Sequence, residues 1–194
     1  MIVVKKNIPQ RSGLGGGSMN AASIIKYFSI KQKINLKQKD ILHITSKIGS
    51  DVILGMHQKK SAIFKNNKIK IINKNFKLYT LLVKPNFGCS TKKIYGSVKK
   101  FSKSSLKNIK LSNLNNKFLA KLNNDLEKPA FNKYKTLKKI KNLLEKIDNI
   151  LFARMTGSGS TIIAYFNSKK SALNARKILM KNYKNYWFTL SKTI

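Results

Sequence analysis

Apolar and polar residues alternate in two rhythms along this chain of 194 residues, and the changes of rhythm mark its elements. Ile2-Val3-Val4-Lys5-Lys6 opens with three β-branched residues in a row and reads as a short strand. A glycine-rich turn follows, Ser12-Gly13-Leu14-Gly15-Gly16-Gly17. From Ser18 to about Ser29 the residues Ala21, Ile24, Ile25 and Phe28 recur at three- and four-residue spacing, which predicts a helix. Leu36, Ile41, Leu42, Thr45 and Ile48 repeat that rhythm over 36–48. Gly49 is placed to end this second helix, with a turn at Gly49-Ser50-Asp51.

Beyond residue 60 the period shortens. Ser61–Phe64, Lys68–Ile72 and Phe76–Val83 read as strands separated by Asn/Lys turns such as Asn66-Asn67. Pro85-Asn86-Phe87-Gly88 is a loop, and Ser90 caps an expected helix over Thr91–Phe101. A polar connection spans Ser104–Asn116. Helices are expected at about 117–126 and 133–147, the second with Leu137, Ile140, Leu143, Leu144 and Ile147 on one face. Strands Leu151–Met155 and Thr161–Phe166 flank the turn Thr156-Gly157-Ser158-Gly159. A helix at about 169–182 and a strand at Trp187–Leu190 close the chain. This order gives an α+β fold with a mainly antiparallel sheet, and no repeat or heptad run is present.

Composition narrows the class. With 42% hydrophobic residues the chain is globular, and no stretch approaches the roughly 18 apolar residues of a membrane span. The amino terminus is too short for a signal peptide. The single cysteine, Cys89, leaves no internal disulfide and fits a reducing compartment, so a cytoplasmic protein is expected. The formal net charge of +35 raises a polyanion-binding reading. Yet only Arg11, Arg154 and Arg176 are arginine, and the lysines are spread over the whole chain. Arginine is the usual reader of phosphates and bases, and Lys, Asn and Ile share A/T-rich codons. Codon bias accounts for the charge better than a specific nucleic-acid partner does.

The strand–glycine loop–helix unit carries the chemistry. Glycines permit positive φ and close backbone approach, and the amides at the helix start form an anion site suited to phosphate. The loop lacks the Gly-Lys-Ser/Thr ending of a Walker A motif and the Gly-x-Gly-x-x-Gly spacing of a dinucleotide fold. The run Pro9-Gln10-Arg11-Ser12-Gly13-Leu14-Gly15-Gly16-Gly17-Ser18-Met19-Asn20-Ala21-Ala22 resembles the phosphate loop of the GHMP kinases. Within them its triple glycine is most like the branch that phosphorylates 4-diphosphocytidyl-2-C-methyl-D-erythritol; Met19 stands where that branch has a second serine. Ile48-Gly49-Ser50-Asp51-Val52 resembles the segment carrying the family's proposed catalytic base, with Ile53 in place of a proline. Val83-Lys84-Pro85 with Ser90-Thr91-Lys92-Lys93-Ile94-Tyr95, Asn124-Asp125-Leu126-Glu127, and Ala153-Arg154-Met155-Thr156-Gly157-Ser158-Gly159-Ser160-Thr161 resemble three further family segments, in the same order.

The resemblance implies a two-domain kinase: residues 1–75 as the remainder of an amino-terminal ATP-binding domain, and 76–194 as a carboxyl-terminal α+β domain. Family members carry a longer segment before the phosphate loop, which supplies a catalytic lysine and much of the acceptor pocket. This chain alone is therefore expected to be impaired in turnover. The implied reaction is transfer of the γ-phosphoryl group of ATP, with Mg²⁺, to the 2-hydroxyl of the methylerythritol unit in the non-mevalonate isoprenoid pathway. Asp51 would accept the hydroxyl proton, the loop Pro9–Met19 would hold the phosphates, and Gly157, Ser158 and Gly159 would support it. Ser18 stands open between a helix cap, a phosphate contact and a metal contact. A basic nucleic-acid-binding module and an inactive kinase remnant stay open as alternatives.

Other candidates carry less. His43 and His57 lack partners at metal-ligand spacing, and Cys89 sits in a glycine-containing loop with no base beside it in sequence. Asp125 and Glu127 read as caps or lysine partners. Tyr183, Tyr186, Trp187 and Phe188 read as packing of the last helix and strand. If the lysines are dispersed charge only, binding to DNA or RNA is expected to be sequence-independent. It should collapse between low salt and about 200 mM salt. A salt titration on two unrelated oligonucleotides checks this, and a sequence preference at the higher salt would promote the nucleic-acid reading.

Overall fold

The computed structural model describes residues 3–57, 61–63, 69–71, 77–103 and 115–193, with backbone alone for 61–63, 70 and 71. The chain falls into two units, Met1–Leu14 with Asn75–Ile194, and Gly15–Lys74. Phe64, Asn66-Asn67, Lys68, Ile72, Phe76 and the connection over 104–114 lie outside the described residues.

The smaller unit holds helices α1 (Gly16–Lys31), α2 (Gln38–Ile48) and α3 (Val52–Met56), then the antiparallel pair β1 (Ser61–Ile63) and β2 (Ile69–Ile71). The stripe expected on α1 is not its buried line. Ile24 and Phe28 are exposed, with Tyr27 between them, and the buried residue is Ala22. The reason is the closeness of α3. A Cβ at Gly55 would lie 2.6 Å from the Ala22 Cβ and 3.0 Å from the Met19 Cε, so these helices meet through their smallest side chains. On α2 the buried residue is likewise Thr45, its hydroxyl donating to the Ile41 carbonyl at 2.7 Å, while Leu42 and Ile48 are exposed. Asp40 accepts from the Lys37 amide and closes the first turn of α2.

In the larger unit, β3 (Tyr79–Lys84) is followed by four helices: α4 (Thr91–Gly96), α5 (Asn116–Lys121), α6 (Glu127–Lys133) and α7 (Lys135–Glu145). Then come β4 (Ile150–Met155), β5 (Ile162–Phe166), α8 (Lys169–Asn182) and β6 (Trp187–Lys192). The sheet runs β4–β5–β3–β6 with every pair antiparallel, Leu81 lying between Ala164 and Leu190. Alternation sets its faces: Ile162, Ala164 and Phe166 are buried and Ile163 and Tyr165 are not. Against the buried face pack Leu137, Ile140 and Leu144 of α7, with Ala172, Ala175 and Leu179 of α8. The α+β reading with an antiparallel sheet holds.

Three local expectations do not. Val3–Lys6 form no strand; no described segment pairs with them, and unpaired β-branched residues stay irregular and exposed. The helix expected over Thr91–Phe101 ends at Gly96, although Ser90 caps its start by accepting from the Lys93 amide. The helix at 117–126 stops at Lys121, and Asn124 beyond it donates instead to the backbone carbonyls of Met155 and Gly157. The helix expected at about 133–147 is present as α7 with Leu137, Ile140 and Leu144 buried; it begins after Tyr134, whose φ and ψ are −122° and 80° and whose ring stacks on Phe87 at 5.3 Å. No helix among the described residues is long and apolar enough to cross a membrane.

Ile140 is fully buried at the centre of α7. Ile140→Ala is expected to lower unfolding free energy by about 2–5 kcal/mol, read as a shift of the urea midpoint at unchanged slope.

A glycine loop held by a second glycine turn

Two chain segments far apart in sequence meet at their backbones in the larger unit. In Pro9–Leu14, Arg11 and Gly13 take left-handed conformations with φ of 51° and 73°, and Ser12 between them is 4% exposed. The Ser12 carbonyl accepts from the Thr161 amide at 3.1 Å, and the Gly13 carbonyl accepts from the Thr156 hydroxyl at 2.8 Å. A Cβ at Gly13 would lie 2.3 Å from the Thr156 carbonyl oxygen, and one at Gly157 would lie 3.0 Å from the Gly13 oxygen. Glycine on both sides is what allows the contact. A third segment joins them: a Cβ at Gly88 would lie 2.5 Å from the Arg11 Cβ.

Side chains fix the turn from behind. Thr91 and Ser158 share a hydroxyl–hydroxyl bond of 2.9 Å. Ser160 donates to the Phe87 carbonyl at 2.7 Å, and the same carbonyl receives the Lys84 ammonium at 3.0 Å. Lys84 is buried and also donates to the Pro85 carbonyl at 2.8 Å, and burial lowers its pKa. Asn124 donates to the carbonyls of Met155 and Gly157 at 2.9 and 2.8 Å. Glu127 accepts from the Met155 amide at 2.7 Å and pairs with Lys141 at 2.7 Å. The lysine pairing expected of Glu127 is present. Asp125 accepts from both the amide and the hydroxyl of Ser102.

The rest of the glycine run opens the smaller unit. Gly15 is the left-handed N-cap of α1, with φ 66° and ψ 15°, and no side chain caps the helix. Ser18 is therefore not the helix cap; it lies inside the first turn, because the helix already begins at Gly16. The first-turn amides have no carbonyl behind them within the helix, and no acidic residue lies in that turn. A Cβ at Gly15 or Gly17 would meet nothing within 4 Å, so the backbone here is bare to an approaching group. That is a fitting donor set for an anion such as phosphate. Asp51 belongs to the same unit, exposed just before α3, with the Ser50 hydroxyl donating to Oδ1 at 3.2 Å.

Sequence reasoning grouped Gly157-Ser158-Gly159 with Ser12-Gly13, and the larger unit brings them together. It missed Lys84 as a buried cation, because a lysine next to a proline carries no sign of burial. It read Glu127 as a cap or a lysine partner, and not as an acceptor for the amide of Met155 on β4. His43 and His57 join no group that could hold a metal; among the described residues no cluster of three His, Cys, Asp or Glu exists.

Comparison with known proteins decides the family. Residues 1–59 match the model of the GHMP kinases N terminal domain, and residues 103–185 that of the GHMP kinases C terminal. The chain is 47% identical over 193 residues to a 4-diphosphocytidyl-2-C-methyl-D-erythritol kinase of Pelagibacter ubique, covering 100% of this chain and 69% of that relative. The chain belongs to the GHMP kinase family. Its fold is that of a solved 4-(cytidine 5'-diphospho)-2C-methyl-D-erythritol kinase, with TM-score 0.75 and 19% identity over 98% of this chain and 70% of the other. A homoserine kinase from Cytophaga hutchinsonii shares it at TM-score 0.71 and 15% identity, over 97% of this chain and 68% of that one. A GHMP kinase uses ATP.

In this GHMP kinase Cys89 is structural. It is buried, and a Cβ at Gly159 would lie 3.2 Å from its sulfur. Burial lifts its pKa to about 11, against the opposing pull of Lys84 and Lys133. A pKa raised in the folded state gives stability that is complete below the unfolded value and lost as pH rises through about 11. The thiol is therefore expected to react slowly with a disulfide reagent at pH 8 in the folded chain and quickly in urea. Gly13→Ala places a Cβ at positive φ against a backbone carbonyl. It is expected to destabilise the chain by more than ~1 kcal/mol, read by urea unfolding.

Proposed function

We propose that this chain transfers the γ-phosphoryl group of ATP to the 2-hydroxyl of 4-diphosphocytidyl-2-C-methyl-D-erythritol. The observation that carries the reading is the whole-chain match to the Pelagibacter ubique kinase, supported by the locked glycine loop. Two GHMP kinases of different substrate share the fold, so the fold alone does not choose the acceptor; the sequence identity does.

Phosphoryl transfer depends on positioning and on stabilising charge. The residues proposed for the phosphates are those of the loop Pro9–Met19: Ser12 and Gly13 as its anchored half, Gly15–Gly17 as its bare amides. Uncapped amides at a helix start favour negative charge there. Mg²⁺ is proposed to offset the phosphate charge. No acidic cluster among the described residues holds a metal by itself, so the ion would arrive with the nucleotide, and Ser18 is the hydroxyl proposed to meet it. Asp51 is the proposed base. The Ser50 hydroxyl occupies Oδ1, which leaves Oδ2 to take the proton of the 2-hydroxyl as its oxygen attacks. The domain reading, 1–75 and 76–194, accompanies this proposal.

Gly15→Val puts a β-branched residue at φ 66°. ATP affinity by calorimetry is expected to fall at least ~10-fold, and unchanged affinity would remove the loop from the nucleotide site. For the chemistry, ATP consumption dependent on 4-diphosphocytidyl-2-C-methyl-D-erythritol is measured on two proteins. One is this chain alone; the other is the chain joined to the amino-terminal segment of the Pelagibacter ubique relative. Turnover is expected from the joined form, with Asp51→Asn lowering it by about 10²-fold or more. A joined form without substrate-dependent turnover sinks the proposal, and a fully active Asp51→Asn variant removes Asp51 from it.

A further inference from the structure

We propose that Asn124 is a positioning residue for nucleotide binding, acting through the turn Thr156–Thr161 on the backbone of Ser12-Gly13. The inference rests on the phosphate-loop reading above. Asn124 lies in the irregular stretch between α5 and α6. The Leu126 amide donates to its Oδ1 at 3.0 Å, which fixes the carboxamide so that Nδ2 faces two carbonyls. Nδ2 gives one bond to the Met155 carbonyl and one to the Gly157 carbonyl. A single side chain thus ties the last residue of β4 to the second residue of the turn. Glu127 holds the Met155 amide, so both backbone polar groups of Met155 are taken by side chains of one short segment.

Sheet register does not require the bond to Gly157. It is already set by the ladder of β4 on β5, from Ile150 opposite Phe166 to Met155 opposite Ile162. What the bond adds is the pitch of the turn. The turn in turn passes that pitch to the loop through Thr156 on Gly13 and Thr161 on Ser12. There is little slack, because the two glycine backbones already sit too close for a Cβ on either. A shift of a few tenths of an ångström in the turn moves Gly13 with it. Asn124 therefore sets the loop's shape without touching the nucleotide.

The test uses Asn124→Asp, which keeps the shape and the acceptor for Leu126 but sets an oxygen against two carbonyls. The folded variant is expected to bind ATP about 10-fold more weakly. Amide chemical shifts of Ser12–Gly17, recorded without nucleotide, are expected to move. Thr156→Val should weaken ATP in the same way, and Thr156→Ser, which restores the hydroxyl, should return affinity to within about twofold of wild type. Ile140→Val, in the core and away from the turn, should lower the unfolding midpoint and leave ATP affinity unchanged. If Asn124→Asp fails to fold, Asn124→Ala, which removes the donors without adding charge, is read by the same measurements. Wild-type affinity with unmoved loop shifts in an Asn124 variant would overturn the inference. So would an Ile140→Val that weakens ATP as much, since general destabilisation would then explain the effect. A wild-type chain that does not bind ATP fails at the phosphate-loop reading instead and takes this inference with it.

Discussion

The anchored half of the proposed phosphate loop depends on one contact, the meeting of Ser12-Gly13 with the turn Thr156–Thr161, where a Cβ at Gly13 would lie 2.3 Å from the Thr156 carbonyl oxygen. It is backbone against backbone, tied by one hydroxyl and one amide. A contact of this kind cannot slide, because every displacement either breaks a bond or drives a carbonyl into a Cα. The β4–β5 hairpin holds one partner. The loop after β3 braces the other through Gly88 on Arg11, and the Phe87 carbonyl, shared by Lys84 and Ser160, joins that loop to the turn.

The acids and cations of the chain are used unequally. Of six acidic residues, Asp40 closes a helix turn, Asp125 holds Ser102, and Glu127 and Glu145 both face Lys141. Among the described residues, Asp51 receives its side-chain bond from its neighbour Ser50. Among the described lysines, Lys84 differs in kind. Its ammonium is out of water, and two carbonyl dipoles stand in for hydration. A guanidinium in that place would need a planar arrangement of acceptors that two carbonyls one turn apart do not offer.

Most of the larger unit was legible because its strands alternate and its helix over 169–182 is long, periodic and capped by Ser168. The glycine turn at 157–159 and the loop at 13–17 were legible as backbone constraints. Three things were hidden. Which face of α1 is buried depends on Gly55, a residue more than thirty positions away in sequence, because close approach selects Ala22 over the larger Ile24 and Phe28. The helix boundaries near 121 and 134 lie beside tertiary contacts, Asn124 with Met155 and Gly157 and Tyr134 with Phe87, and no local propensity reports them. The strand over residues 2–6 was read from β-branched residues, but a strand exists only where a ladder forms, and no described segment pairs with Val3–Lys6.

The bond between Gly13 and Thr156 spans 143 positions. The glycine loop is therefore synthesised well over a hundred residues before the turn that shapes it. Closing so large a loop is entropically unfavourable until the sheet beneath the turn has formed. The anchored half of the proposed phosphate loop is thus among the last features to acquire its shape during folding. Until that contact closes, the Ser12-Gly13 half of the motif is present in sequence without its final shape.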